Sequence, residues 1–167
     1  MSLKKGHRII PGMIISAGIL LTFGMPLAQA DHPNFSGRWI LDLGRSKLHP
    51  VMFKDLTAGL FVIDHTDPLF RLHREFTQAG KIDALDVSLK SDGVETIGTE
   101  TGMQTRSTLR WDGDTLIYLT IYQALRGEAR NNVVYRILDD GLTLRAEESF
   151  RGPRLSYDNV WVFTRSR

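Results

Sequence analysis

Arg136 offers the most distinctive chemistry in this chain. Reading Asp139-Asp140-Gly141 as a turn places Val134, Arg136, Leu138, Leu142 and Leu144 on one strand face. An arginine on an otherwise apolar face needs a partner, because an unpaired buried charge is costly. The carboxylate of an acidic apolar ligand, gripped by the guanidinium fork, would supply one. An internal acid such as Glu148 or Asp114 would serve as well, and exposure at a rim would remove the need. Tyr118 and Tyr122 share a face with Leu116 and Thr120, and Met103, Thr105, Ser107 and Leu109 lie across the hairpin. Turned inward, that face mixes hydroxyls with apolar groups, as ligand cavities do. Arg136, Tyr118, Tyr122 and Thr120 are therefore the candidate ligand-binding residues. Ile117, Leu119 and Ile121 make the opposite face equally apolar, which predicts a cover on both sides. A second subunit, giving a homodimer, or the segment 48–53 would provide it.

Other constellations fail to converge. His65 and His73 fall on opposite strand faces, and His32 and His49 lie in loops, so no metal site is expected. Asp112/Asp114 and Asp139/Asp140 are turn residues, and adjacent Glu147 and Glu148 face opposite ways. Paired catalytic carboxylates must meet at one bond. Ser36 and Ser46 lack the strand-to-helix context of an activated nucleophile. The chain has no cysteine, hence no disulfide, thiol nucleophile or thiolate metal ligand. No cofactor is expected. An enzyme built from these parts would be a lyase, hydratase or isomerase using Tyr118, Glu148 and Arg136.

The elements that must position these residues are strands. Phe61, Ile63 and His65 alternate with Val62 and Asp64; after Asp67-Pro68, Phe70, Leu72, Arg74 and Phe76 alternate with Arg71, His73 and Glu75. Pairing across that turn puts Phe61, Ile63, Phe70, Leu72 and Phe76 on one face and Asp64 beside Arg71 on the other. Further strands are read at 35–42, 85–90, 94–99, 103–111, 114–123, 133–138, 142–149 and 156–164. Asp112-Gly113 is a strong hairpin signal. Residues 43–58 read as a loop with room for one short helix. The expectation is an all-β domain, a single antiparallel up-and-down β-barrel of about 8–10 strands.

The first 30 residues read as a signal peptide. Lys4, Lys5 and Arg8 precede an apolar stretch broken by Gly12, Gly18 and Gly24, and Ala28-Gln29-Ala30 is a small-residue cleavage site. The stretch falls short of the roughly 20 residues a membrane span needs. The barrel domain then occupies 31–167, exported to a periplasm or the extracellular space, with no membrane span after cleavage. The whole chain carries 21 Lys+Arg against 19 Asp+Glu. Losing Lys4, Lys5 and Arg8 removes that cationic surplus, and nucleic-acid binding needs a cationic field.

Phe35-Ser36-Gly37-Arg38-Trp39 resembles the G-x-W signature of the lipocalins and their relatives, the calycins. The Trp-Asp-Gly-Asp hairpin at Trp111–Asp114, within the Arg110–Leu116 segment Arg-Trp-Asp-Gly-Asp-Thr-Leu, is similar to hairpins of fatty-acid-binding proteins. With Ser46-Lys47, the pattern resembles a group of secreted bacterial lipocalin-like proteins. The resemblance implies that Gly37 and Trp39 close one barrel end and that Arg165, after the last strand, packs across the indole. It implies a binding module for a small hydrophobic or amphipathic molecule. The chain departs from the lipocalins proper in lacking a T-D-Y-type motif in mid-chain.

Overall fold

Period-two alternation, punctuated by tight turns, builds one antiparallel sheet. The computed structural model describes residues 32–100, 102–124 and 127–166, so the signal-peptide reading of 1–30 lies outside the described residues. Among the described residues the strands are β1 (Gly37–Leu41), β2 (Leu56–Thr66), β3 (Leu69–Gln78), β4 (Lys81–Lys90) and β5 (Thr96–Glu100), then β6 (Met103–Asp112), β7 (Thr115–Ala124), β8 (Gly127–Leu138), β9 (Thr143–Arg151) and β10 (Ser156–Arg165). Each pairs with its sequence neighbour, and β1 also pairs with β10, joining the two ends of the chain. Consecutive β4 and β5 are not hydrogen-bonded to each other. The result is an up-and-down barrel closed except for one seam, and it contains no α-helix among the described residues.

Three strands begin earlier than alternation suggests, and the first is β2, which starts at Leu56 within the stretch read as a loop. β4 starts at Lys81 because Ala79 and Gly80 both adopt positive φ (49° and 73°), making a tight hairpin turn. β8 starts at Gly127, where Ala129 and Asn131 point inward. The segment 43–55 forms turns rather than a helix. Its backbone is drawn to β10 instead: Lys47 N donates to Val160 O, and Val160 N donates back to Lys47 O, both at 2.8 Å. Leu48 and Phe53 pack against the core, with the Phe53 ring edge-on to Trp161 at 4.9 Å. That segment therefore covers barrel interior and is not the outer cover of β7. Outside, Ile121 lies in register between Arg106 and Arg130, whose long stems can shield it.

The core is the barrel interior, filled by Phe35, Trp39, Phe61, Phe70, Leu116, Leu144 and Phe163. At the foot, Trp39 is fully buried and its indole N–H donates to Phe35 O at 2.9 Å. Arg165 lies opposite Trp39 in the β1–β10 register, its guanidinium carbon 4.4 Å from the indole centroid. Gly37 adopts φ +142°, and a Cβ there would sit 3.5 Å from Arg165 Nη1. The contact is an ordinary one, so it is the positive φ that calls for glycine here. A second closure lies beside it. Trp111 Nε1 donates to Asp67 Oδ1 at 2.9 Å, Ser91 Oγ donates to the same oxygen, and His32 stacks on Trp111 at 4.1 Å.

Candidate functional site

The inward phase of β3 reads Phe70, Leu72, Arg74, Phe76. Arg74 is its one charged member and enters the interior between Phe61 and Leu85 in register. Its Nη2 donates to Asp83 Oδ2 at 2.6 Å, and its guanidinium carbon sits 5.0 Å from the Phe76 ring centroid. Its Nε is buried without a hydrogen-bond partner among the described residues. On β8, Asn131 lies between Thr120 and Phe150, and its Oδ1 is likewise buried without a partner. Both side chains line one interior cavity of about 70 Å³.

Other polar groups of that cavity are paired, though among the described residues the Tyr135 hydroxyl makes no hydrogen bond. Tyr122 donates its hydroxyl to Glu100 Oε2 at 3.1 Å. Glu148 Oε2 accepts from Asn159 Nδ2 at 2.7 Å and from Trp161 Nε1 at 2.8 Å. Burial pushes the Tyr118, Tyr122 and Tyr135 phenols up, and the Glu100 carboxylate adds to the rise at Tyr122. All three remain protonated donors at neutral pH. Tyr157 is pushed up to about 12, again first by burial. One guanidinium, itself paired with Asp83, thus shares the cavity wall with two further carboxylates, Glu100 and Glu148. Phe61, Leu72, Phe76, Val133 and Trp161 form the apolar part of the wall.

Two openings flank this layer. A cleft of about 150 Å³ follows the β4–β5 seam, lined by Leu85, Val87, Gly98 and Glu100, and reaches Tyr118. At the rim, a pocket of about 880 Å³ is lined by Met103, Ala129, Phe150, Pro153 and Leu155. Ala129 stands two residues before Asn131 on β8, and Phe150 two residues beyond Glu148 on β9. The rim pocket therefore continues the strands that carry the polar layer. Ligand pockets commonly measure about 300–1,000 Å³. The rim pocket meets that size, whereas the interior cavity holds only a few atoms.

The structure separates the residues singled out in the sequence. Tyr118, Thr120 and Tyr122 point inward with Leu116; Thr120 is buried and its hydroxyl lies 3.2 Å from Ser107 Oγ. Tyr118 and Tyr122 line the cavity. Arg136 does not join them, which corrects its placement on an apolar inner face. It is exposed on the outside, with Nε donating to Thr115 Oγ1 at 3.3 Å and Nη1 3.7 Å from Glu147. The inward phase of β8 is Val133, Tyr135 and Ile137, and Ile137 rather than Arg136 pairs with Leu144. Of the acid–base trio, Tyr118 and Glu148 share the cavity and Arg136 lies outside it. Arg74, Glu100, Asn131 and Tyr135 escaped notice as cavity residues. For Arg74 the signal was present: a lone charge in phase with Phe70, Leu72 and Phe76.

The histidines diverge as expected. His65 points inward and is buried, its Nδ1 accepting from Phe35 N at 3.3 Å and its Nε2 lying 3.8 Å from Asp67 Oδ1. Burial lowers its pKa, a fall that Asp67 partly offsets. His73 points outward between Glu75 and Asp86, whose hydrogen bonds raise its pKa. Among the described residues no helix is long and apolar enough to cross a membrane.

No protein-family model and no curated protein sequence matches the chain. Solved structures do. Human cRBP IV is 18% identical with a TM-score of 0.58, over 80% of this chain and 99% of its own. A secretory abundant heat soluble protein from Ramazzottius varieornatus is 13% identical with a TM-score of 0.59, over 79% and 95%. A Schistosoma mansoni fatty acid binding protein, in complex with arachidonic acid, is 13% identical with a TM-score of 0.55, over 80% and 96%. The likeness is one of fold, an antiparallel up-and-down β-barrel.

Proposed function

We propose that this chain is an exported binding barrel for a small amphipathic molecule, taken up with its polar end inward. One observation carries the reading. A buried donor, Arg74 Nε, and a buried acceptor, Asn131 Oδ1, lack partners among the described residues and line the same cavity. An unmet buried polar atom costs about 1–3 kcal/mol. A fold that retains two of them in one interior cavity is suited to an occupant that satisfies both. The Schistosoma protein of the same architecture, in complex with arachidonic acid, supports the ligand class. Export rests on the charged start, apolar stretch and Ala28-Gln29-Ala30 of the first 30 residues.

Native mass spectrometry of the protein taken from its cells is the direct test. The expected result is a co-purifying small molecule and an N-terminus at Asp31. An uncleaved N-terminus would overturn the export reading. An empty barrel that also ignores a panel of fatty acids, fatty alcohols and apolar dyes would overturn binding.

A further inference from the structure

We propose that residues 32–35 form an acid-released latch on the barrel foot, in which the His65 ring changes partner from the Phe35 N–H to the Asp67 carboxylate. The proposal stands apart from the binding reading above. In the closed state the ring has one arrangement. Phe35 N can only donate, and it donates to His65 Nδ1 at 3.3 Å, so the ring proton sits on Nε2. That Nε2–H is buried without a hydrogen-bond partner among the described residues. Asp67 Oδ1 lies 3.8 Å from it, beyond hydrogen-bond range. Trp111 Nε1 and Ser91 Oγ both donate to that oxygen and hold the carboxylate in place.

A second ring proton reverses both contacts. Nδ1–H then faces the Phe35 N–H, donor against donor. Nε2–H becomes a charge-assisted donor, and a ring shift of about 1 Å toward Asp67 brings it to the length such a bond prefers. The same shift lengthens a contact to Phe35 that is already long. The Phe35 amide must then turn to water, and the chain swings on Ser36. That hydroxyl grips the β2 backbone whatever the ring charge, donating to His65 O at 3.0 Å and accepting from His65 N at 2.9 Å. With the latch go Phe35 O, the acceptor of the Trp39 indole N–H, and the His32 ring stacked on Trp111. Opening therefore uncovers the Trp39–Trp111 floor, at the far end of β6 from the Met103 wall of the rim pocket.

The surroundings of the ring set the sign. The charged and titratable groups acting on it are Asp67 from the β2–β3 turn, His32 from the latch itself and Asp64 on the outer face of β2. β3 presents Phe70 and β6 presents Trp111. Burial outweighs the two carboxylates and favours the neutral ring while the latch is shut. Protonation therefore draws the latch open, because the open state takes up the proton more readily.

Hydrogen exchange read by NMR on the purified protein is the test. The Phe35 amide should be less protected than the strand amides of Val133 and Leu144. Its protection factor should fall about ten- to twenty-fold from pH 7 to pH 5, the span over which an ordinary histidine in the open state takes up its proton. Nitrogen-15 shifts of the His65 ring at neutral pH should show the Nε2–H tautomer. His65→Gln keeps an acceptor for the Phe35 N–H and takes up no proton, so protection at Phe35 should stay level over the same range. Should that variant fold poorly, Asp67→Asn serves. Its side-chain oxygen still accepts from Trp111 and Ser91, and the midpoint of Phe35 opening should move to lower pH, since no anion then receives the charged ring. Equal protection at Phe35 and Leu144 overturns the latch, because residues 32–35 would then leave only as the whole barrel unfolds. An Nδ1–H tautomer overturns it too, as does a pH-dependent opening that survives His65→Gln or a midpoint unmoved in Asp67→Asn.

Discussion

Trp39 and Arg165 face each other across the β1–β10 pairing, indole under guanidinium at 4.4 Å, where the first strand meets the last. The contact closes the sheet and stoppers the foot at once. Arg165 Nε is buried without a partner, so the ring face is its main compensation. Arg165→Ala should cost about 1–2 kcal/mol, the range of a largely desolvated cation–π contact. Trp39→Ala should cost more, about 3–5 kcal/mol, because it leaves a cavity in a fully buried position. Urea unfolding of both single variants and the double variant checks this. The double should cost less than the sum, since the two residues share one contact.

His65 makes stability pH-dependent in a stated direction. Burial favours its neutral form in the folded protein, whose Nδ1 accepts the Phe35 N–H. The unfolded chain therefore takes up the proton first. The stabilisation is complete above pH 6.5 and is lost as the pH falls below that value through the depressed folded pKa. His73 runs the opposite way: held charged by Glu75 and Asp86, it contributes below pH 6.5 and loses that contribution as the pH rises through its folded pKa. In a His73→Gln background, the thermal midpoint should drop steadily from pH 7 to pH 5. Adding His65→Gln should flatten that slope. NMR titration of the His65 ring gives the same answer directly, and a pKa at or above 6.5 would contradict it.

Arg74 sets function against stability. Its guanidinium is ion-paired and partly desolvated, and replacing such a group by a hydrophobe of similar length is often neutral or stabilising. Arg74→Met should leave the thermal midpoint unchanged or raise it, with about 1 kcal/mol gained at most. Affinity for whichever fatty acid or fatty alcohol the barrel binds should fall in the same variant. A variant that loses both stability and affinity would assign Arg74 a structural role instead.

Arg136 shows where the sequence stops being legible. Strands with one apolar phase, such as β2 and β3, declare their inward face: Phe61 and Ile63, then Phe70, Leu72 and Phe76. At 133–138 both phases are apolar, Val133, Tyr135 and Ile137 in one, Val134 and Leu138 in the other. Alternation cannot rank them, and the wrong phase brings Arg136 inside. The early halves of β4 and β8 fade for another reason. Near the rim, inward positions such as Asp83 and Asn131 are polar, so the two faces differ little. The G-x-W closure is legible because Gly37 and Trp39 are fixed by steric demands that few other residues meet. Arg136→Ala should accordingly change stability by less than about 0.5 kcal/mol and leave ligand affinity untouched, which parallel unfolding and titration will show.

Gly59 tests how tightly the interior is filled. A Cβ built there would sit 2.9 Å from Leu41 Cβ, Leu41 Cδ2 and Phe76 Cδ1. Leu41 Cβ is fixed by the β1 backbone, so the burden falls on Phe76. That ring stacks on Trp161 at 4.8 Å, and Trp161 lines the cavity. Gly59→Ala should therefore destabilise by about 1–3 kcal/mol through overpacking. It should also weaken ligand binding, because strain in a close-packed interior is passed to the next side chain. Leu41→Ala removes Cδ2 and eases part of the clash. Introduced into the Gly59→Ala background it should cost less than it does alone, an interaction that a double-mutant cycle in urea reads directly. Additive costs would mean that Leu41 and Phe76 give way freely at this position, and that the path from Gly59 to the Trp161 wall is slack.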